Sequence, residues 1–250
     1  MAAIDSPTAP FSTLRTEVRV RFDGAVSHFQ AESQFQIEPQ AEGKLDWADD
    51  QTLRFKPNRL AFDTTYTVHA GAGGRTAWSW QFRTIKPLSI TLDDCASTAG
   101  ELQTILNVLA ERHITAIMFP TGFCQRRYPW LVPAMLAAGH RVCNHTSSHA
   151  HLTALSDAGI ANEIRGGVHA GCDLLRPPYG DWDGPDGRVA RIAASQGYRI
   201  FMWDVDTYDW AGFSTQVILD RIYSRGGVIL LHFHGRGTVE ALRRLDLQTG

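Results

Sequence analysis

Leu88-Ser89-Ile90-Thr91-Leu92-Asp93-Asp94, followed by Thr98 to His113, is the stretch whose reading decides the fold. Its first part is a short apolar and β-branched run that ends on two adjacent acids, the signature of a strand end. Its second part carries Leu102, Ile105, Leu106 and Leu109 at helical spacing, one apolar helix face. Strand then helix is half of a βαβ unit. The alternation continues downstream. It predicts strands over Ile114–Phe119, Arg141–Cys143, Leu174–Leu175, Arg199–Val205 and Gly227–Leu231. Between them it predicts helices over Pro129–Ala138, around Ile160–Glu163, from an Asp186 cap to about Gly197, and over Thr215–Ser224, with a last helix over Thr238–Leu245. Parallel strands joined by right-handed crossovers follow, with polar residues gathered just after strands, where an α/β barrel keeps its chemistry.

Upstream of Lys86-Pro87 the rhythm is different. Val18, Val20 and Phe22 alternate with Glu17, Arg19 and Arg21, and the pattern recurs at Phe35/Ile37, Leu53/Phe55, Tyr66/Val68 and Trp78/Trp80/Phe82. Period-2 spacing with one apolar face predicts half-buried antiparallel strands. Asp23-Gly24, Glu42-Gly43, Pro57-Asn58 and Gly71 to Gly74 supply turns. A small β-sandwich is expected, with Trp47, Trp78 and Trp80 read as core aromatics in preference to a sugar platform. The three lysines lie at or before Lys86 and the four cysteines between Cys95 and Cys172, a shift that supports a junction here. The expected layout is a tail over residues 1–14, the sandwich over 15–86 and an α/β domain over 87–250.

With 24 Lys+Arg against 26 Asp+Glu and a net charge of −2, the chain lacks the basic surplus of a nucleic-acid binder. No apolar run approaches the ~18 residues of a membrane span. A secreted or cell-envelope location is expected, although Met1 to Pro10 lacks the basic-then-apolar order of a signal peptide. Four cysteines permit two disulfides in three pairings, and a bridge at the rim of the site strands is expected. The oligomeric state is left open.

Strand ends carry the chemistry. Two histidines four apart, His145 and His149, are read as sharing one face of a helical turn, so both imidazoles reach one ion. An acid from the neighbouring strand end completes three ligands and leaves positions open for water and substrate. Of the pair Asp93-Asp94, one residue is expected to ligate while its neighbour points to the opposite side of the strand and serves as general base. Arg176-Pro-Pro-Tyr179-Gly180, Asp206-Thr-Tyr-Asp209-Trp210 and Leu230-Leu231-His232 end the remaining strands. His234 falls on the same side as His232. Each motif alone has a plainer reading, as a helix cap, a buried ion pair or a core histidine.

In order and wording these segments resemble the polysaccharide deacetylases of carbohydrate esterase family four, the NodB-homology group, from about Leu88 to Leu245. Thr91-Leu-Asp93-Asp94-Cys95 matches the first motif, with a cysteine where that family has glycine; Gly139 to His149, Arg176 to Gly180, Asp206 to Trp210 and Leu230 to His232 match the others. The resemblance implies a distorted, incomplete (β/α) barrel. It implies a divalent ion, zinc first with Co2+ or Ni2+ as alternatives, held by Asp94, His145 and His149. Asp93 is the implied base on a metal-bound water and His232 the acid, oriented by Arg176 and Asp209 respectively. The Tyr179 N–H is the implied oxyanion donor, and Trp210 with Leu230 the implied acetyl pocket. The implied activity is removal of acetyl groups from an N-acetylated glycan such as chitin oligomers or peptidoglycan. The alternatives are an O-acetyl esterase on acetylated xylan, a non-catalytic glycan-binding protein of the same fold, and a non-haem iron oxygenase. Upstream, Val20–Asp23, Leu53–Pro57, Thr64–Val68 and Trp80–Thr84 resemble bacterial Ig-like modules.

Overall fold

The structure is a computed structural model that describes residues 3–6, 11–12, 17–72 and 78–245. It divides into two compact units, one chiefly of residues 1–87, to which residues 223–225 at the end of one later helix are also assigned, and the other of residues 88–222 and 226–246.

The first unit contains β1 (Ala3–Ser6), β2 (Phe11–Ser12), β3 (Val18–Arg21), α1 (His28–Ser33), β4 (Gln36–Glu38), β5 (Gly43–Asp49), β6 (Thr52–Pro57), β7 (Thr65–Ala70) and β8 (Trp78–Thr84). They form two sheets, ordered β1-β3-β6-β5 and β2-β8-β7-β4. Alternation sets the registers: Val18 pairs opposite Phe55 and Val20 opposite Leu53, with Arg19 and Arg21 on the other face. Val18 and Phe55 of one sheet pack with Tyr66, Val68 and Phe82 of the other, so the apolar faces meet as in a sandwich. Each such buried side chain contributes roughly 1.5–3 kcal/mol.

Three features of this unit depart from expectation. Part of the expected tail is paired, β1 on β3 and β2 on β8; the rest of it, and residues 73–74 of the expected Gly71 to Gly74 turn, lie outside the described residues. Helix α1 is too short to show a 3.6-residue period, yet Ser27 caps it by accepting from the Gln30 N–H. Trp47, Trp78 and Trp80 are partly buried against the core, and the His28 ring stacks on Trp47 at 3.7 Å between centroids.

The second unit contains β9 (Lys86–Asp94), α2 (Ala99–Glu111), β10 (Ile117–Pro120), α3 (Gly122–Arg127), α4 (Leu131–Ala137), β11 (Arg141–Val142), α5 (Asp157–Arg165), β12 (Leu174–Leu175), α6 (Arg188–Ser195), β13 (Arg199–Ile200), β14 (Val205–Asp206), α7 (Thr215–Arg225), β15 (Gly226–His232) and α8 (Thr238–Arg244). Its main sheet runs β11-β10-β9-β15-β14. The pairs β9–β10, β10–β11 and β14–β15 are parallel, as is the separate pair β12–β13. A single parallel bridge, Asn144 to Leu175, continues the curve from β11 toward β12. The sheet does not close, in keeping with the incomplete (β/α) barrel that the family resemblance implied. Among the described residues no helix is long and apolar enough to cross a membrane.

Local chemistry explains the helix limits. Helix α2 opens with a capping box, Thr98 and Glu101 each bonding the other's backbone, and buries Leu102, Ile105, Leu106, Val108 and Leu109. Helix α6 is held at its start by Asp183, whose carboxylate accepts the Arg188 and Val189 N–H groups at 2.6 and 3.0 Å; the expected cap, Asp186, does not do this. The strand expected over Arg199–Val205 is two strands that pair with different partners, β13 with β12 and β14 with β15. Helix α3 was not predicted, because six residues show too little periodicity; Thr121 caps it by accepting from the Cys124 N–H.

Candidate active site and metal centre

A cleft of about 480 Å³ opens where the strands end. Asp93, Asp94, His145, His149, Tyr179, Trp210, Leu230 and His232 all line it, together with Pro177, Trp203, Asp206 and His234. Arg176 and Asp209, both fully buried, stand behind Asp93 and His232.

Two positions correct the sequence reading. First, His145 and His149 do not lie on a helical turn: the segment is irregular, with Thr146 at φ 62° and His149 at φ 66°. The loop is shaped from outside. Asn144 Oδ1 accepts the Thr146 N–H, and Glu163 on α5 accepts the Ser147 and Ser148 N–H groups and the Ser148 hydroxyl. Second, Asp93 and Asp94 do not face opposite ways. Strand alternation fails at Asp94, which sits at φ 73°, a left-handed conformation that short polar residues tolerate best. The turn brings both carboxylates into one cleft. Thr146, His149, Tyr179 and Tyr208 share that backbone region, so left-handed residues concentrate around the site, as stored strain does at functional sites.

Asp94 Oδ1 lies 3.0 Å from His145 Nε2 and 2.9 Å from His149 Nε2, and one donor atom from each of the three residues lies within 4.8 Å of the others. The donor set says what belongs between them. His145 Nδ1 is 2.7 Å from the Arg176 carbonyl oxygen, which only accepts, so Nδ1 carries a proton and Nε2 is turned to Asp94. The imidazole, imidazole and carboxylate set suits a divalent cation. Burial opposes ionisation of Asp94, but bonds from His145 and His149 outweigh it and hold the carboxyl well below the usual range. Burial likewise lowers His145, yet the charge of Asp93 and the bond to Asp94 raise it above its ordinary value.

Asp93 is set by Arg176. The guanidinium donates from Nη1 to Asp93 Oδ1 at 2.7 Å and to Thr91 Oγ1 at 2.7 Å, and from Nε to the Phe201 carbonyl. Its plane lies 4.2 Å from the Phe119 ring centroid. Thr91 in turn donates to the Ile229 carbonyl, tying β9 to β15. Asp93 Oδ2 is left facing the ligand group, 3.8 Å from His145 Nε2.

His232 sits in a contrasting shell. Its Nδ1 donates to Asp209 Oδ1 at 2.7 Å, while the same carboxylate accepts the His232 and Trp210 N–H groups and the Thr238 hydroxyl. Burial pulls the His232 pKa down, but the Asp209 bond and charge overcome it and push it up to about 9. The supporting roles of Thr91, Asn144, Glu163 and Thr238 escaped the sequence reading because each acts on a partner set by the tertiary fold. His234 Nδ1 approaches Asp94 Oδ2 at 3.7 Å, and His151 stacks on Tyr179 at 4.0 Å.

The four cysteines are paired as Cys95–Cys124 and Cys143–Cys172, a choice that sequence had left open.

The polysaccharide deacetylase family profile matches residues 83–201. A chitooligosaccharide deacetylase of Sinorhizobium fredii is 30% identical over 139 residues, which is 51% of this chain and 63% of that relative. A peptidoglycan-N-acetylglucosamine deacetylase of Bacillus cereus is 30% identical over 174 residues, 64% of this chain and 80% of the relative. Among solved structures, a family 4 carbohydrate esterase from Streptomyces lividans, in complex with acetate, matches with a TM-score of 0.56 and 33% identity over 63% of this chain and 84% of that one. This chain belongs to the polysaccharide deacetylase family.

Proposed function

We propose that the protein is a metal-dependent hydrolase that removes acetyl groups from an N-acetylated glycan of the chitin-oligomer or peptidoglycan type. The observation that carries this reading is the convergence of His145 Nε2 and His149 Nε2 on Asp94 Oδ1, beside an Asp93 carboxylate that Arg176 holds by Oδ1. Asp94, His145 and His149 hold the divalent ion, and two nitrogens with one carboxylate favour zinc, with Co2+ or Ni2+ as substitutes. When bound, the ion supplies a Lewis acid that polarises the acetyl carbonyl and activates water.

Asp93 takes the proton of the attacking water at Oδ2, since Arg176 occupies Oδ1. The Tyr179 N–H donates to the oxygen that gains charge. His232, kept protonated by Asp209, donates from Nε2 to the departing nitrogen. Exposed Trp210 and buried Leu230 enclose the acetyl methyl. Two disulfides suit an oxidising compartment, so we place the protein outside the cytoplasm. The residue 15–86 unit serves as an Ig-like accessory sandwich.

Acetate release from chitin oligomers, peptidoglycan fragments and acetylxylan, each with and without chelator, tests the reading. Chelator-sensitive release from the N-acetylated substrates is expected. Release from acetylxylan alone would convert the assignment to an O-acetyl esterase, and release that survives both chelation and Asp93→Asn would overturn the mechanism. Binding of all three without release would make it a non-catalytic glycan binder.

A further inference from the structure

The three ligand side chains come from two chain segments distant in sequence, the end of β9 and the loop after β11. One short element, α3, is bound to both. Cys95, the residue after Asp94, is bonded to Cys124 in α3, with Cα atoms 5.4 Å apart. On its other side, α3 holds the histidine loop by its first two amides: Gly122 N–H donates to the Thr146 carbonyl and Phe123 N–H to the Ser147 carbonyl, both at 2.8 Å. Those carbonyls lie between the two ligating histidines. Arg126, one turn on, donates from Nη2 to Ser147 Oγ at 3.3 Å and from Nη1 to the Gly166 carbonyl at 3.2 Å.

Helix α3 has little room to move. Cys124 is fully buried. A Cβ added at Gly122 would lie 2.0 Å from the Gly166 carbonyl oxygen, so glycine is required by backbone contact at that point. Glu163 also holds the Ser147 and Ser148 amides, so the loop is tied to α5 as well as to α3. The second disulfide lacks this arrangement: Cys143 and Cys172 pack with Phe119 and Leu174 and are bonded to neither α3 nor the Asp94 segment.

We propose that α3, tied by Cys95–Cys124 to the carboxylate segment and by its amides to the histidine segment, sets the spacing of the three ligands, which makes this disulfide a determinant of metal affinity. Cys95 and Cys124 act as positioning residues through α3 and touch no substrate. The inference rests on the metal site of the proposed function. Its physical content is that a ligand set assembled from two loops binds an ion tightly only when its supports remove the freedom between them, and outer-shell supports of this kind are typically worth about 10–100-fold in affinity.

The test uses the full oxidised chain and measures the dissociation constant for Zn2+, and separately Co2+, by competition with a chromophoric chelator. Thermal melts of the metal-free proteins report folding. C95S/C124S is expected to bind each ion about 10–100-fold more weakly than wild type, and saturating metal should restore most of its acetate release. Gly122→Ala keeps the disulfide but displaces α3, and is expected to weaken binding in the same direction. C143S/C172S is expected to lower the melting temperature while leaving the dissociation constant unchanged. Wild-type affinity in folded C95S/C124S would overturn the inference, and if that variant does not fold, wild-type affinity in Gly122→Ala overturns it. A wild-type chain that binds neither ion would instead overturn the metal reading beneath it.

Discussion

His145 and His232 begin from the same chemistry and end with different partners. Both are buried, both line one cleft, and both donate Nδ1–H at 2.7 Å, leaving Nε2 toward the centre. The acceptors differ. His145 donates to a neutral carbonyl, that of Arg176, which orients the ring and turns Nε2 to Asp94. His232 donates to a buried carboxylate, Asp209, which also stabilises the charged ring. In the proposed mechanism the first imidazole serves as a metal ligand and the second as a proton donor to the leaving group. The ring type cannot distinguish these roles; the atom behind it does.

That contrast breaks most sharply in paired deletions. His145→Ala is expected to abolish metal binding in equilibrium dialysis. His232→Ala should retain the ion and lose about 10²–10⁴-fold in turnover, the usual span for an acid–base group. Asp93→Asn should do the same on the base side, with bound metal unchanged by elemental analysis. Retained activity in either metal-bound variant would remove that residue from the mechanism.

Arg176 is the point at which the two sides meet, its carbonyl serving His145 and its guanidinium serving Asp93. Arg176→Met strands a carboxylate that is nearly buried, and breaking such a pair costs about 3–5 kcal/mol. Chemical denaturation should show a loss of that size.

The pH profile sharpens the comparison further. His232 is held protonated up to about pH 9, so kcat/KM should fall as pH rises through that value. In Asp209→Asn burial is left without its counterweight, the pKa drops, and the alkaline limb moves acidward. A limb that stayed in place would mean that it reports another group. Smallest is Thr238→Val, which removes one of the four hydrogen bonds on the Asp209 carboxylate. It should cost about 0.5–1.5 kcal/mol of stability, shift the same limb slightly, and leave metal binding alone.

Much of this was legible in the chain. Alternation at Val18, Val20 and Phe22 and at Trp78 through Phe82 specified the strands of the first unit, because a half-buried strand repeats every two residues. Helical spacing at Leu102 to Leu109 did the same for α2. The site was legible as residue types gathered at strand ends. Its geometry was not: alternation put Asp93 and Asp94 on opposite sides, and the i, i+4 rule put His145 and His149 on a helix. Both rules describe regular backbone, and Asp94, Thr146 and His149 are left-handed.

What the sequence determined by itself, then, was period and residue type: a segment of two-residue alternation, a segment of strand–helix alternation, and acids and histidines gathered at strand ends. Those are properties of local side-chain pattern. Tertiary structure alone decided which acid faces which imidazole, which of three cysteine pairings forms, and which group stands behind each histidine. Each of these depends on partners far away in the chain, such as Arg176 behind Asp93, Asp209 behind His232 and α3 between Asp94 and the histidine loop, and a distant partner leaves no period in the sequence to read.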